Sequence, residues 1–194
     1  MQDVLTVTER YCLEWIAPGH PERPALEAFI AAEFSRVHGA RVQHFCRMLA
    51  GCRDAGGRWV AALGYSLARD GRLFLEQYLD GPVETGIAQR IGTAVARTDI
   101  VEVGNLAGTS VGAARALIVF MTRHLHRQGL VWVTFTATRA LLNSFARLRL
   151  VPSVLADADP ARLRDAGRDW GTYYTGRPQV MFGNIGYGHA QLAR

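Results

Sequence analysis

The sequence predicts an α+β (α/β) domain in which helices flank a mixed, mostly antiparallel central sheet. Runs that alternate apolar and polar residues recur along the chain, and stretches of helical periodicity separate them. The order strand, helix, strand between Ile100 and Thr138 predicts two parallel strands joined by a right-handed crossover. The length of 194 residues, with 49% hydrophobic and 20% charged residues, suits a single domain over residues 1–194.

The first half of the chain is predicted to hold a helix and most of the antiparallel strands. Apolar residues recur at every third or fourth position from Ala25 to His38, which predicts a helix that Gly39 ends. Pro82 marks the start of a second, short helix. Alternating patterns predict strands at residues 5–10, 42–52, 58–68 and 72–80.

The second half is predicted to hold the strand, helix, strand unit and its continuation. The first strand covers Ile100 to Asn105, and a Thr or Ser N-cap then begins a helix over residues 110–128. β-Branched and aromatic residues predict a strand from Val131 to Thr138. Residues 139–150 are predicted to be helical, residues 151–169 irregular with a short helical turn, and residues 171–185 one or two strands.

Composition excludes several classes of protein. No apolar run approaches the about 20 residues of a membrane span, and the N-terminus lacks the pattern of a signal peptide, so we expect a cytoplasmic protein without support for membrane association. Three cysteines without a CxxC pair argue against a disulfide framework and a zinc cluster, and the histidines are scattered, so no metal is expected.

The net charge of +5, with all 22 Lys and Arg positions being arginine, suits an acidic partner or simply keeps the protein in solution. No segment resembles a recognition helix or an aromatic and basic RNA-binding surface, so nucleic acid is not expected. Arginines cluster in the second half of the chain, at Arg115, Arg123, Arg127, Arg139, Arg147 and Arg149.

The segment VEVGNLAGTSVGAARALIVFM, from Val101 to Met121, combines a strand, a Gly-rich turn and the start of a helix. The first N–H groups of a helix have no intrahelical acceptor and attract anions, so this junction predicts a phosphate site. Gly108 and Gly112 keep side chains away from the backbone there. Close packing of helix on sheet is the alternative explanation, because neither a Walker A loop nor GxGxxG is present.

Four segments, in this order, resemble the bacterial thermostable hemolysin family: LFLEQYLDGPVE, VEVGNLAG, LVPSVLADADPARL and WGTYYTGRPQV. The resemblance extends from about Phe29 to Ile185. Members of that family resemble the GNAT acyltransferases, in particular the acyl-homoserine-lactone synthases, which take acyl chains from an acyl carrier protein. A GNAT-like fold implies that the parallel strands near Ile100 to Asn105 and Val131 to Thr138 splay apart.

Two motifs of these relatives are changed in this sequence. The GNAT turn that binds the pyrophosphate of coenzyme A has the form Gln/Arg-x-x-Gly-x-Gly/Ala, and the aligned residues here are Thr109, Ser110, Val111, Gly112, Ala113 and Ala114. The synthases carry Glu-x-Ser-Arg-Phe on the fourth strand, where this sequence has Glu102, Val103, Gly104, Asn105 and Leu106. Because Ser-Arg is replaced, homoserine-lactone synthesis is not implied.

The resemblance implies an N-acyltransferase that moves an acyl group, typically a fatty acyl group, from a thioester to an amine or amino acid. The donor is an acyl carrier protein or acyl-coenzyme A, used as a co-substrate, and no permanently bound cofactor is expected. Arginines would steer the acidic carrier protein. A membrane-active hemolysin and a non-catalytic GNAT-fold binding module are the alternatives.

The resemblance also implies roles for particular residues. Glu102 and Glu76 are candidates for the general base or the anchor of the amine, and Asn105 is the third catalytic candidate. Gln77 and Tyr78 are assigned to the substrate, and Tyr173 and Tyr174 are candidates for the acid at the leaving group. The donor thioester is assigned to Val103, Gly104, Leu106, Ala107, Thr109, Ser110, Val111, Gly112, Ala113, Ala114, Arg115 and Asn143, with a tunnel walled by Leu106, Val133 and Phe135.

Structural explanations stay open for the same residues. Glu102 and Glu76 are equally explained as ion-pair partners of an arginine such as Arg10, Arg41 or Arg97. Asn143 fits an exposed position on a helix, and the two tyrosines fit a packed aromatic strand.

Overall fold

The computed structural model describes residues 5–8 and 11–193, which contain one eight-stranded sheet. The strands are β1 (Leu5–Thr8), β2 (Tyr11–Ile16), β3 (Met48–Arg53), β4 (Trp59–Leu67), β5 (Ile100–Gly108), β6 (Trp132–Ala137), β7 (Ser153–Asp157) and β8 (Gln179–Asn184). Their spatial order is β1-β2-β3-β4-β5-β6-β8-β7. Neighbouring strands are antiparallel except for the parallel pair β5 and β6, so the sheet is mixed and mostly antiparallel, as the sequence predicts.

Helices cover both faces of the sheet. They are α1 (Arg23–His38), α2 (Val83–Ile91), α3 (Val111–Arg127), α4 (Arg139–Arg147) and α5 (Ile185–Leu192). On one face, here the α3 face, Leu117 packs with Leu63 and Val101. On the opposite face, the α1 face, Leu26 and Ile30 pack against the sheet. The core therefore lies in two layers, one on each side of the strands.

The helix ends follow from local chemistry. Ser110 caps α3, since its hydroxyl oxygen accepts a hydrogen bond from the N–H of Ala113 at 3.2 Å. Thr138 caps α4 in the same way, with the N–H of Leu141 at 3.4 Å. Gly39 ends α1 in the left-handed conformation, with φ of 66°. These caps fix α3 and α4 directly after β5 and β6, where the candidate site lies.

The parallel strands β5 and β6 separate along their length. They pair at three positions, Ile100 with Trp132, Val101 with Val133 and Glu102 with Thr134. Beyond Glu102, β5 continues along β4 to Gly108, whereas β6 continues along β8 as far as Ala137. The predicted splay of this pair is thus confirmed, and it leaves an opening in the sheet.

Strand β5 contains a β-bulge in the part that lies beside the opening. Asn105 and Leu106 of β5 together lie opposite Leu63 of β4, because Gly104 pairs with Gly64 and Ala107 with Ala62. Asn105 has a φ of 54°, in the left-handed region that asparagine tolerates better than most residues. The bulge lies beyond Glu102, the last residue of β5 that pairs with β6.

One predicted strand is wrong and another is predicted too long. The segment predicted as a strand over residues 72–80 contains a 3-10 helix, Phe74–Tyr78, because carboxylates instead of a neighbouring strand accept its first N–H groups. The strand predicted from Val42 begins at Met48, because side chains bind the preceding backbone: Asn105 accepts from the N–H of Cys46 at 2.8 Å.

Other elements were missed. The strand β7 has five residues with a single buried side chain, which is too weak a pattern to predict a strand. Helix α5 contains two glycines and is stabilised instead by packing on α3. The strand β2 was also missed, and the end of the predicted first strand, Glu9 and Arg10, lies outside the described residues. In the region predicted as one or two strands, only β8 is a strand, and Tyr173–Gly176 is a 3-10 helix.

In the part of the chain that the structure describes, none of the helices combines the length and the apolar character needed to cross a membrane.

Candidate functional site

The opening between β5 and β6 leads into a cavity of about 430 Å³ that is lined from both faces of the sheet. On the α3 face its walls come from α3, β6 and α4. On the α1 face they come from α1, the loop before β3, the 3-10 helix Phe74–Tyr78 and the segment around Trp170. A molecule in this cavity would therefore pass through the sheet.

The part on the α3 face is apolar. Leu106, Val133 and Phe135 line it, which confirms the predicted position of an opening beside these three residues. Side chains from the helices complete the wall: Ile118, Met121 and Leu125 of α3, and Leu141 and Phe145 of α4. Such walls suit a hydrocarbon chain better than a polar ligand.

Strand β5 supplies one edge of the opening. Val103, Gly104, Leu106 and Ala107 all line the cavity, and beyond Glu102 the strand has no pairing with β6. Its backbone groups on that side are therefore available to a ligand. Gly104 also leaves space for a neighbour, because a Cβ atom there would lie 3.2 Å from the sulfur of Cys46.

Glu102 lies at the point where the strands separate. Its carboxylate is 7% exposed and accepts hydrogen bonds from the N–H groups of Phe74 at 2.7 Å and Leu75 at 3.1 Å. Burial raises the pKa of Glu102 to about 7, although these hydrogen bonds lower it, and nearby Glu76 adds to the increase. The structure thus brings to the cavity a carboxylate that gains and loses a proton near neutral pH.

Glu76 is placed differently. Its carboxylate forms an ion pair with Arg97 through contacts of 2.7 and 2.9 Å and accepts from the N–H groups of Leu73 and Val83. Although burial opposes it, these interactions lower the pKa of Glu76. Glu76 does not line the cavity, and it lies in a 3-10 helix instead of the predicted strand over residues 72–80.

Arg41, another arginine considered as a partner, is not paired with Glu102. Arg41 is paired with Asp169, and Arg10 lies outside the described residues. Among the residues that the structure describes, no arginine lies within 4.0 Å of the Glu102 carboxylate. Within the described ranges, Glu76 has a predicted arginine partner, Arg97, and Glu102 has none.

Asn105 lines the cavity, but its amide is used to hold a loop. The side-chain oxygen accepts from the N–H of Cys46 at 2.8 Å, and the side-chain nitrogen donates to the carbonyl of His44 at 3.0 Å. This pair of bonds positions His44, whose ring stacks on Phe74 at 4.8 Å. Asn105 therefore holds in place the loop that carries His44 into the wall of the cavity.

Three tyrosines and a glutamine were predicted near the substrate. Tyr78 and Tyr173 line the cavity, and the hydroxyl groups of Tyr78 and Tyr174 are 2.5 Å apart. Burial raises the pKa of Tyr78, and burial likewise raises the pKa of Tyr174 to about 12, so these hydroxyls are neutral at pH 7. Gln77 donates to the carbonyl of Phe74 and does not reach the cavity.

The predicted phosphate turn is brought only partly to the cavity. Ser110, Ala114 and Arg115 line it. Thr109 and Gly112 are exposed outside the lining, and Ala113 is buried in the core. Val111 begins α3, and its side chain lies outside the described part.

Arg115 places a positive charge at the end of the cavity beside the start of α3. Its Nε atom is buried and has no hydrogen-bond partner among the described residues. A buried donor without an acceptor is uncommon in proteins, and an anionic ligand beside the start of α3 would satisfy it.

Asn143 is not brought to the site. It is exposed on α4, whereas its neighbours Leu141 and Ser144 line the cavity. The remaining arginines of the cluster are exposed, and none lies within 4.0 Å of a carboxylate in the described residues: Arg123, Arg127, Arg139, Arg147 and Arg149.

Sequence reasoning missed the wall on the α1 face. Here six aromatic or imidazole side chains form what we call the aromatic chamber: Phe34, His38, His44, Phe74, Trp170 and Tyr173. They come from four separate segments of the chain, so no spacing in the sequence connects them. The aromatic motif WGTYY was a partial signal, because Trp170 and Tyr173 belong to it.

Solved structures share this architecture. FeeM, an N-acyl amino acid synthase from uncultured soil microbes, is 13% identical with a TM-score of 0.62 and covers 96% of each chain. The AHL synthase LasI is 10% identical with a TM-score of 0.61 and 90% coverage of each chain. MesI, a CoA-dependent acyl-homoserine lactone synthase, is 11% identical with a TM-score of 0.55, over 94% of this chain and 93% of that one. The fold is therefore GNAT-like.

No curated protein matches this chain. The family model for thermostable hemolysin matches residues 16–189, which include every element from α1 to β8, the opening between β5 and β6, and Glu102. This chain therefore belongs to the thermostable hemolysin family.

Proposed function

We propose that this protein is an N-acyltransferase that moves an acyl group, most simply a fatty acyl group, from a thioester to a small amine. One observation carries the proposal: a largely apolar cavity passes through the splayed strands and reaches the buried carboxylate of Glu102. The solved structures of similar fold include an N-acyl amino acid synthase and two synthases of acylated lactones, which supports the same class of reaction.

The donor is assigned to the α3 face and the edge of β5. The acyl chain occupies the apolar part beside Val133 and Phe135, and the pantetheine arm lies along the free edge from Val103 to Ala107. Its phosphate meets the start of α3, where Arg115 has a buried donor with no acceptor among the residues that the structure describes. These contacts hold the thioester carbonyl near Glu102 and so supply the orientation that acyl transfer requires.

The transfer itself needs a proton acceptor. The amine nitrogen attacks the thioester carbonyl carbon, a C–N bond forms, and the C–S bond breaks with the thiolate as leaving group. The proton lost from nitrogen passes to Glu102, and Glu102 then returns it to the thiolate, directly or through water, so that the donor leaves as a thiol and the carboxylate is restored. A carboxylate with a pKa of about 7 suits this role, because it is partly ionised at neutral pH and basic enough to accept the proton.

The donor is either an acyl carrier protein or acyl-coenzyme A. Exposed arginines without carboxylate partners in the described residues, Arg139, Arg147 and Arg149, lie on or directly after α4 and suit an acidic carrier protein. MesI is described as CoA-dependent, and the same fold therefore serves the other donor as well. Both donors belong in the test.

A second function, non-catalytic binding of an acyl thioester, is favoured by one observation. The two hydrogen bonds that Glu102 accepts cap the first N–H groups of the 3-10 helix Phe74–Tyr78, which is a structural use of the carboxylate. In that case the cavity would bind the donor without consuming it.

Intact-mass measurement of the donor separates the two functions. The protein is incubated with acyl carrier protein or coenzyme A loaded with chains of several lengths, together with a mixture of primary amines. Transfer predicts loss of the acyl group from the donor and a new amide, both reduced at least about 100-fold in Glu102→Gln. Donor that binds but stays acylated at every chain length would support the binding function and contradict transfer.

A further inference from the structure

The aromatic chamber forms a continuous wall next to Glu102. Ring centroids lie 4.8 Å apart for His44 and Phe74, 6.0 Å for Phe74 and Trp170, and 5.3 Å for Trp170 and Tyr173. His38 continues the wall beside Tyr173, at 5.2 Å. The N–H of Phe74 binds the Glu102 carboxylate at 2.7 Å, so the wall and the carboxylate are directly linked.

The chamber carries no positive charge among the described residues. The arginine that lines the cavity, Arg115, belongs to α3 on the opposite face. Burial lowers the pKa of both His38 and His44, so their rings are neutral at pH 7. Arg41 lies near the chamber in sequence, but it is outside the lining and is paired with Asp169.

Resting on the proposed function, we propose that the aromatic chamber binds the acyl acceptor and selects primary amines that carry an aromatic ring and no carboxylate. The ring of such an amine stacks among the aromatic side chains, and its nitrogen points to Glu102. A carboxylate on the same molecule would lose its water without gaining a cation among the described residues, and it would lie next to the acidic side chain of Glu102. The chamber thus separates arylalkylamines from the corresponding aromatic amino acids.

Calorimetric titration with matched pairs of ligands tests the selection. Tyramine is compared with tyrosine, and phenethylamine with phenylalanine, since each pair differs only by the carboxylate. We expect the amine to bind at least about tenfold more tightly than its amino acid. Titrations run with and without coenzyme A, so that a site completed by the donor is also detected. Equal or tighter binding of the amino acids, or no binding of any amine in either condition, would overturn the proposal.

Two variants locate the binding and its charge dependence. Trp170→Leu is expected to weaken tyramine binding at least about tenfold, whereas Trp59→Leu, outside the cavity, leaves it unchanged. His44→Arg adds a cation to the wall and should shift the preference toward tyrosine. Thermal unfolding of each variant verifies that it folds. If His44→Arg still prefers tyramine over tyrosine to the same degree, the missing positive charge does not explain the selection.

Failure of this proposal is distinguishable from failure of the proposed function. Binding is measured without an acyl donor, so absence of amide formation leaves the binding preference intact and contradicts only the transferase. Conversely, efficient transfer to amino acids contradicts only the selection for amines without a carboxylate.

Discussion

At the scale of the residue, two carboxylates with similar sequence signals have opposite environments. Glu102 is buried with two backbone N–H partners and no cation within the described residues, whereas Glu76 is buried in an ion pair with Arg97. Burial raises the pKa of Glu102 to about 7, and the contacts of Glu76, although opposed by burial, lower its pKa. This difference supports the proposed proton transfer to Glu102 and indicates a structural role for Glu76.

The pH dependence of the reaction tests the role of Glu102. Only the ionised carboxylate can accept a proton, and with a pKa of about 7 about one tenth is ionised at pH 6 and about nine tenths at pH 8. We expect kcat to rise across this interval and the rise to be absent from the residual activity of Glu102→Gln. A wild-type profile that is flat from pH 6 to 8 would exclude Glu102 as the base.

Glu76→Gln tests the structural role of the ion pair. Removing one partner leaves Arg97 facing an uncharged amide, which we expect to lower the free energy of unfolding by about 2–4 kcal/mol at pH 7. Because the pKa of Glu76 is lowered in the folded state, its contribution is present above the usual carboxyl range and is lost as the pH falls. Urea unfolding at pH 7 and at pH 4 should show this loss shrinking at the lower pH. The rise of kcat with pH should be retained but shifted to lower pH, because the charge of Glu76 contributes to the raised pKa of Glu102.

At the scale of the element, the part of β5 beside the opening contains a bulge and holds the loop before β3. Asn105 adopts a φ of 54° at the bulge, and its amide fixes the backbone of His44 and Cys46. The same loop presents His44 to the aromatic chamber. Asn105 thus connects the bulge in β5 to the position of His44 in the aromatic chamber.

Two substitutions separate the backbone and side-chain roles of Asn105. Asn105→Gly keeps the left-handed conformation but loses both hydrogen bonds, and should cost about 1–2 kcal/mol of unfolding free energy. Asn105→Ala adds strain at φ of 54° and should cost about 1 kcal/mol more. Hydrogen exchange should accelerate at the amide of Cys46 in both variants. Unchanged protection of that amide would contradict the role of the Asn105 side chain in holding the loop before β3.

The architecture around this element was predictable from local patterns, and part of the site was not. The strand, helix, strand order from Ile100 to Thr138 and the Ser110 cap depend on neighbouring residues, so the sequence predicts them. The 3-10 helix Phe74–Tyr78 depends on Glu102, which is 28 positions from Phe74. No local pattern carries that information, and the alternating residues of LFLEQYLD therefore suggested a strand.

At the scale of the whole molecule, the sheet separates two chemical environments that the cavity joins. Apolar side chains such as Leu106 and Phe135 surround the cavity on the α3 face, and the aromatic chamber surrounds it on the α1 face. Glu102 lies between them, where β5 and β6 separate. This division matches a donor on one face, an acceptor on the other and reaction at the opening.

A larger side chain in the apolar part of the cavity, on the α3 face, tests whether that part binds the acyl chain. Val133→Phe places a larger side chain in the wall and should shift the donor preference toward shorter acyl chains, with kcat/KM for long chains falling at least about tenfold. Val37→Phe, on the exposed surface of α1, is the matched control and should leave the preference unchanged. The measurement is kcat/KM over a series of donor chain lengths. Equal losses at every length would argue against an acyl chain in this part.

The most direct test of the central claim is a crystal structure of the protein with a stable thioether analogue of a long-chain acyl-coenzyme A. We expect the acyl chain beside Val133 and Phe135, the pantetheine arm along β5, and the atom that replaces the reacting carbonyl within hydrogen-bond reach of Glu102. An analogue bound elsewhere, or one whose reacting centre lies on the far side of β5 from Glu102, would contradict acyl transfer through this opening.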